Sequence, residues 1–281
     1  MAEQPAEPRA ALEAIAIAYR EAYVAHDPSL APLAPGVRFS ENNVELRLPD
    51  GTWDAVSEEL GPALTVVDVN RGTVGIFTAI RTLDTPGFLA IRLSTEAGQI
   101  TECEHIFSTA RNLSGPPTPI GDVADFRHNP LLSLPLDPAD RAPEDVLVAL
   151  ADGYWSTLEN NTGEIRGTDF TEDCIRFENG RAFPDAKALF QLGRYRFNER
   201  VRDRAFLLVD EERGLVMSRA FIDHKGLLDE FQLTDGREVK SIFREPHSWH
   251  MLELFRIASG KITAIEATFI AVPYFMPTVW S

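Results

Sequence analysis

From Arg9 to Val24 apolar residues recur every three or four positions (Leu12, Ile15, Ala16, Tyr19, Tyr23). That spacing predicts an amphipathic helix, stopped by His26-Asp27-Pro28. The same period returns over Glu144–Leu158, with Val146, Leu147, Leu150, Tyr154 and Leu158 on one side. Pro143 supplies an N1-type start there, and Asn160-Asn161-Thr162-Gly163 the stop. After each helix the period falls to two. Thr73–Arg81, Phe88–Ser94 and Gln99–Thr109 read as strands of an antiparallel sheet, separated by turns at Asp84-Thr85-Pro86-Gly87 and Glu96-Ala97-Gly98. A second series follows: Arg204–Val209, Leu215–Asp223, Trp249–Ala258 and Lys261–Val272, with turns at Asp210–Gly214 and Ala258-Ser259-Gly260. A helix followed by an antiparallel meander is an α+β arrangement, with the helix on one face of the sheet.

The two series share phrases as well as periods. Val37-Arg38-Phe39-Ser40-Glu41-Asn42 returns as Ile175-Arg176-Phe177-Glu178-Asn179, one residue shorter. Asp68-Asn70-Arg71-Gly72 corresponds to Asp210-Glu212-Arg213-Gly214, and Gly98-Gln99-Ile100-Thr101 to Gly260-Lys261-Ile262-Thr263. Order is kept while the offset grows from 138 (176 − 38) to 142 (210 − 68) and 162 (262 − 100). A duplicated unit with loop insertions in its second copy gives this pattern, and the unit is too long for a solenoid repeat. The expected organisation is a first domain over 1–115, a Pro-rich connection over 116–142 that begins in Ser114-Gly115-Pro116-Pro117-Thr118-Pro119, and a second domain over 143–281.

At 281 residues and 44% hydrophobic, the chain can bury two cores. A net charge of −16 argues against nucleic acid, and a strongly anionic substrate would need a local basic pocket. Cys103 and Cys174, one in each series, make neither a disulfide framework nor a thiolate zinc site and read as buried thiols. The acidic, Pro-rich start Met1–Pro8 lacks a signal-peptide pattern, and no apolar run approaches membrane-spanning length. A soluble, cytoplasmic protein is expected, with no nucleic-acid or membrane partner and homo-oligomerisation left open.

The helix-first unit resembles the nuclear transport factor 2-like superfamily, which includes polyketide-cyclase-like proteins. The phrases Arg176-Phe177-Glu178-Asn179-Gly180, Gly98–His105 and Ala271-Val272-Pro273-Tyr274-Phe275-Met276-Pro277 resemble a tandem branch of it. The resemblance implies two cone-shaped α+β barrel domains forming an intrachain pseudo-dimer, each with a pocket between helix and sheet. Such pockets serve isomerases, dehydratases, cyclases, carriers and inert scaffolds, so the fold alone does not select a chemistry. The most specific resemblance is to the sphingomonad diarylpropane lyases, which imply a cofactor-free deformylating lyase releasing a stilbene and formaldehyde.

Nucleotide, flavin and catalytic-metal motifs are missing from the sequence, so no cofactor and no metal are expected. Acid–base work by side chains is left. His247-Ser248-Trp249-His250 leads into a strand, with His250 opposite Glu253 and His247 in the preceding loop. A hydrogen-bonded core histidine is the competing reading. Leu215–His224 puts Arg219 and Asp223 on one face and Ser218 and His224 on the other, where the first series has Phe77 and Ile76. That asymmetry assigns the chemistry to the second copy: His250 or His224 moves the proton, and Arg219 or Arg176 stabilises an oxyanion. His247, Glu178, Asn179, Tyr154, Trp155 and Tyr274 are the expected substrate contacts. Glu104 and Glu266 are either paired in a domain interface or pocket bases. The function expected is a lyase, dehydratase or isomerase acting on a hydrophobic, oxygenated aromatic molecule; the alternative is a non-catalytic binding or scaffold module.

Overall fold

The computed structural model describes residues 8–110 and 120–280. The chain's first residues, the Ser114–Pro119 run and the 115/116 boundary lie outside them. The first sheet contains β1 (Leu33–Glu41), β2 (Val44–Leu46), β3 (Val56–Glu59), β4 (Leu64–Asp68), β5 (Thr73–Thr82), β6 (Thr85–Glu96) and β7 (Gln99–Ser108). Its order is β2-β1-β7-β6-β5-β3, with β4 also on β5. The second contains β8 (Phe170–Glu178), β9 (Arg181–Phe183), β10 (Arg200–Asp210), β11 (Leu215–His224), β14 (His247–Ala258) and β15 (Lys261–Pro273), while β12 (Glu230–Gln232) and β13 (Glu238–Lys240) pair with each other. Read from its β9 end, the second order is β9-β8-β15-β14-β11-β10, the same path as the first. The two sheets are compatible with a repeated unit.

Helices α1 (Arg9–Val24) and α2 (Glu144–Leu158) span the residues that the periodicity predicts, and a short α3 (Ala186–Gln191) lies between β9 and β10. Each long helix is entered through a proline whose carbonyl accepts its first backbone bond, Leu12 to Pro8 at 3.3 Å and Leu147 to Pro143 at 3.1 Å. Pro143 is therefore the N-cap, not the first helical residue: its ψ of 160° is extended. The helices bury one stripe each, Leu12, Ala16 and Tyr19 in α1 and Leu147, Ala151 and Tyr154 in α2. The spacing is common to both, since 143 − 8, 147 − 12 and 154 − 19 are all 135.

Three expectations need correction. The sheets are not wholly antiparallel, because β1 runs parallel to β7 and β8 parallel to β15. The β5–β6 turn is only Leu83-Asp84, with Thr82 opposite Thr85. Leu83 takes a positive φ of 52° to close it, and Pro86 sits beyond the last β6–β7 pair, Phe88–Ser108, where its missing N–H leaves no ladder bond unmade. His247 belongs to β14, paired with His224, not to the preceding loop.

Asn42 and Asn179 end β1 and β8 in the left-handed region, at φ 52° and 46°. Each is fastened to the last strand of its sheet in the same way. The Asn42 N–H donates to the His105 carbonyl at 2.9 Å while its side-chain oxygen accepts from the Phe107 N–H at 2.8 Å. The Asn179 N–H donates to Ala267 at 2.8 Å and its side-chain oxygen accepts from Phe269 at 2.9 Å. The two sets differ by 162 along the last strand and 137 along the first. Register then places Phe39, facing Cys103, at the position of Arg176, facing Ile265. The sequence match of Arg38 with Arg176 is one residue out of step.

The layers are helix, sheet, sheet, helix. Tyr19, Ile76, Ile91 and Cys103 belong to the core between α1 and the first sheet. Trp155, Val216, Met251 and Ile265 belong to that between α2 and the second. The opposite faces meet in a third core of Val66, Phe77, Ala90 and Ile106 with Met217, Leu252, Leu254 and Ala264. The connection joins this core through Leu132 and bonds to the second half through Leu136, whose N–H donates to Glu212 at 2.8 Å. The C-terminal tail crosses back, and the Trp280 indole donates to Ser40 at 2.8 Å. Among the described residues no helix is long and apolar enough to cross a membrane.

Candidate functional site

An apolar-walled cavity of about 350 Å³ lies between α2, α3 and the α2-facing side of the second sheet. Its size lies at the low end of the roughly 300–1,000 Å³ usual for small-molecule sites. Phe183, Phe197, Phe243, Trp249 and Phe269 make its walls, and Tyr154, Arg176, Glu178, Tyr195 and Glu253 supply convergent polar groups.

Glu253 stands on β14 between Met251 and Phe255, all three facing α2 by strand alternation. Its carboxylate accepts a hydrogen bond from the Tyr154 hydroxyl at 2.8 Å. Burial pushes the Glu253 carboxyl up to about 8, although Arg176 and Tyr154 pull it down. Burial and the neighbouring Glu253 charge raise Tyr154 well above the ordinary phenol value, so this hydroxyl is a donor and not a base. Arg176 donates to the Tyr195 hydroxyl at 2.5 Å and pairs with Glu178 at 2.6 Å, with Tyr154 at 3.4 Å. Burial opposes its charge, but Glu178, both tyrosines and Glu253 keep the guanidinium protonated. A tunable carboxyl beside a fixed cation, under an apolar roof, can take a proton and stabilise the oxyanion that results.

The first half fills the equivalent space. Trp53 is fully buried against Tyr19 and Tyr23, with ring centroids at 5.4 and 5.1 Å, and the Tyr19 hydroxyl meets His105 Nε2 at 2.8 Å. At matching positions the first half carries Phe39, Tyr23, Ile91 and His105 where the second has Arg176, Leu158, Glu253 and Ala267. Two ring-to-aliphatic exchanges open room and two apolar-to-ionic exchanges equip it. Burial drives His105 down to about 3, so it is neutral.

Of the residues singled out from sequence, Tyr154, Arg176 and Glu178 line the cavity together. His224 lies beside it, in an adjoining space that shares Phe197 and Phe243, with Nε2 on Asn198 at 2.7 Å. His247 stacks on His224 with centroids 4.6 Å apart and planes 1° from parallel, and its Nδ1 meets the Glu245 carbonyl at 2.8 Å. Burial, reinforced by His247, lowers His224 to about 3; burial also lowers His247. Trp155 packs in the core with its indole on Ser218 at 3.1 Å, Asn179 is the β8 fastener, and Tyr274 lies on the tail outside the cavity lining.

His250 and Arg219 face the opposite side of the sheet, between the two halves. Arg219 donates to the Glu104 carboxylate at 2.9 Å, where Arg92 also donates at 2.9 Å. His250 stacks on Phe221 at 4.5 Å, is wholly buried and, through burial and the nearby Arg219 and Arg202, is lowered to about 3. The neutral ring lies outside the lining of the second-half cavity. Glu104 thus takes the interface role, and Glu266 pairs with His128 of the connection at 2.7 Å. The two cysteine thiols are free and buried, each pushed up to about 12 by burial. Among the described residues no three His, Cys, Asp or Glu side chains gather as a metal site.

Glu253 and Tyr195 were not singled out from sequence. The signal for Glu253 in the sequence is a carboxylate on the strand face shared with Met251 and Phe255, opposite His250.

Residues 140–269 match a domain of unknown function, DUF8021. No curated protein matches the chain. Among solved structures it is similar to PrhC from Penicillium brasilianum, at 16% identity over 44% of this chain and 80% of that one, with a TM-score of 0.29. It is also similar to an NTF2-like protein from Cytophaga hutchinsonii (12% identity, 46% and 99% covered, TM-score 0.30). A third is a protein with a cystatin-like fold from Caulobacter vibrioides (13% identity, 45% and 88% covered, TM-score 0.29).

Proposed function

We propose that this chain is a cofactor-independent acid–base enzyme acting on a small, largely apolar, oxygenated molecule held in the second-half cavity. The observation that carries the reading is Glu253, a fully enclosed carboxyl that faces the cavity and titrates near neutrality. In its ionised form Glu253 takes a proton from the substrate, Arg176 meets the developing oxyanion, and Tyr154 holds the carboxylate in place. Elimination, isomerisation and carbon–carbon cleavage all use these parts.

The most specific form is the deformylating lyase acting on a lignin-derived diarylpropane. Glu253 would remove the proton of a primary hydroxyl, whose C–O becomes the carbonyl of formaldehyde as the adjacent C–C bond breaks. The released pair closes the stilbene double bond, and the neighbouring hydroxyl leaves as water with the proton returned by Glu253. Aromatic walls suit two aryl groups.

The proposal includes the architecture: two nuclear transport factor 2-like domains, 1–115 and 143–281, packed as an intrachain pseudo-dimer. The common strand path and the Asn42 and Asn179 fasteners support it. So does the meeting of Gly75 with Met217, where a Cβ on the glycine would stand 2.7 Å from the sulfur. These positions are equivalent (217 − 75 = 142), and equivalent residues meet across a two-fold. The scaffold reading is favoured for the first half alone, because Trp53 occupies its pocket.

The test is turnover of a panel of oxygenated aromatics, including 1,2-diaryl-1,3-diols, read by formaldehyde release and stilbene absorbance in the presence of a chelator. Product formation by the wild type and its loss in Glu253→Gln is expected. A panel left wholly unconverted, or conversion indifferent to Glu253, overturns the reading.

A further inference from the structure

The cavity carries more positive charge than its own carboxylates answer. Arg176, Arg181 and Arg194 line it, against Glu178 and Glu253. Both carboxylates are already engaged, Glu178 by Arg176 at 2.6 Å and Glu253 by Tyr154 at 2.8 Å. Arg181, on β9, lies over the Phe183 ring at 5.4 Å, and neither it nor Arg194, just after α3, has an ion pair with a described acidic side chain. The two belong to the solvent-exposed and half-buried part of the lining, whereas Arg176 lies deep beside Tyr154. Two uncommitted guanidinia at the mouth of an apolar cavity stand out in a chain whose net charge is −16, where acidic partners are abundant.

We infer that Arg181 and Arg194 form an anion-recognising rim, and that the substrate class is an apolar molecule carrying a carboxylate at the end remote from the reacting centre. This rests on the cavity being the substrate site, as proposed above, and adds the charge that the site selects. The carboxylate binds at the rim, where charge-assisted N–H donors are free, while the aromatic walls take the apolar body. The buried end, at Glu253 and Arg176, is left to the group that loses the proton. The rim also counters the long-range repulsion of an acidic protein for an anionic ligand, since local fields at a low-dielectric mouth outweigh distant screened charge.

Binding distinguishes this from the acid–base reading. The probes are 3-phenylpropanoate, naphthalene-2-carboxylate and decanoate, each measured by calorimetry against its own primary amide. The wild type is expected to bind at least one acid about 10-fold or more tightly than its amide, the difference a charged hydrogen-bond partner makes, with the margin shrinking at high salt. Arg181→Ala combined with Arg194→Ala is expected to erase the margin by weakening the acids far more than the amides, and a wild-type urea-unfolding midpoint shows that the variant is folded. Glu253→Gln is expected to keep the margin, so a failure of the catalytic assignment does not imitate a failure of the rim. Equal binding of acids and amides, a margin untouched in the double variant, or no acid binding below about 1 mM overturns the inference.

Discussion

Tyr154 reaches across from helix α2 to hold Glu253 of the central strand β14 at 2.8 Å, hydroxyl to carboxylate. The bond ties the one long helix of the second half to its most perturbed carboxyl. Because it favours the ionised form, its loss moves the group further from the ordinary carboxylate range. Tyr154→Phe is therefore expected to shift the rising limb of the pH–rate profile above about 8 and to lower turnover at neutral pH by roughly 10-fold. A pH profile of the variant checks this; an unmoved limb would separate Tyr154 from Glu253.

Arg219 is expected to matter to folding and not to turnover. Its truncation leaves the fully buried Glu104 with Arg92 as its remaining guanidinium donor. Arg219→Ala should cost about 3 kcal/mol, as removal of one member of a buried ionic group does, measured by urea unfolding. Turnover per folded molecule should remain within about twofold of wild type, well short of the ~100-fold loss that an oxyanion donor would give. A loss of that larger size, with stability unchanged, would restore Arg219 to the chemistry.

Asn42 and Asn179 should be equivalent in energy as they are in geometry. Each supplies a side-chain acceptor to a strand N–H and adopts a backbone conformation that asparagine tolerates better than alanine. Asn42→Ala and Asn179→Ala should each destabilise by about 1–3 kcal/mol. Unfolding midpoints of the two variants give the comparison. A negligible effect at one site and a large one at the other would argue against a repeated fastener.

Stability should decline on both sides of a mid-range optimum. The Glu253 carboxyl is raised from 4.5 to about 8 by burial, so the folded state holds its proton longer than the unfolded chain. Stability from this group is complete below about 4.5 and is lost as pH rises through about 8. His105, His224 and His250 are buried neutral and lowered from 6.5 to about 3, so the unfolded chain gains their protons first and stability falls as pH drops from 6.5 towards 3. Denaturant titrations across this range should show both limbs in the wild type. Glu253→Gln should shrink the alkaline limb, leaving the smaller parts due to the raised Glu41 and His128, and keep the acid one; an alkaline limb unchanged in that variant contradicts the assignment.

Helix limits were legible because α1 and α2 pack one stripe each against a sheet, so the apolar period records their contacts directly. Strand faces were legible for the same reason: Arg219 and Ser218 point to opposite sides, to Glu104 and to Trp155. What a period cannot say is which side of a strand meets a cavity and which a second sheet. Both are apolar, so His250 and Glu253 looked alike in kind and only the fold separates them. The parallel β1–β7 and β8–β15 pairings depend on contacts far apart in sequence. The offset grows from 142 to 162 across the β11–β14 connection, residues 225–246, where β5 and β6 need only Leu83-Asp84. That connection brings Ile242 and Phe243 to the cavity wall.

The most direct test is the pH dependence of kcat/KM for wild type and Glu253→Gln, on whichever compound of the panel turns over. The wild-type rate is expected to rise with pH through about 8, as the carboxylate forms. Glu253→Gln should lose at least about 100-fold and the pH limb with it. A glutamine variant that turns over at the wild-type rate with the same pH profile would contradict the account.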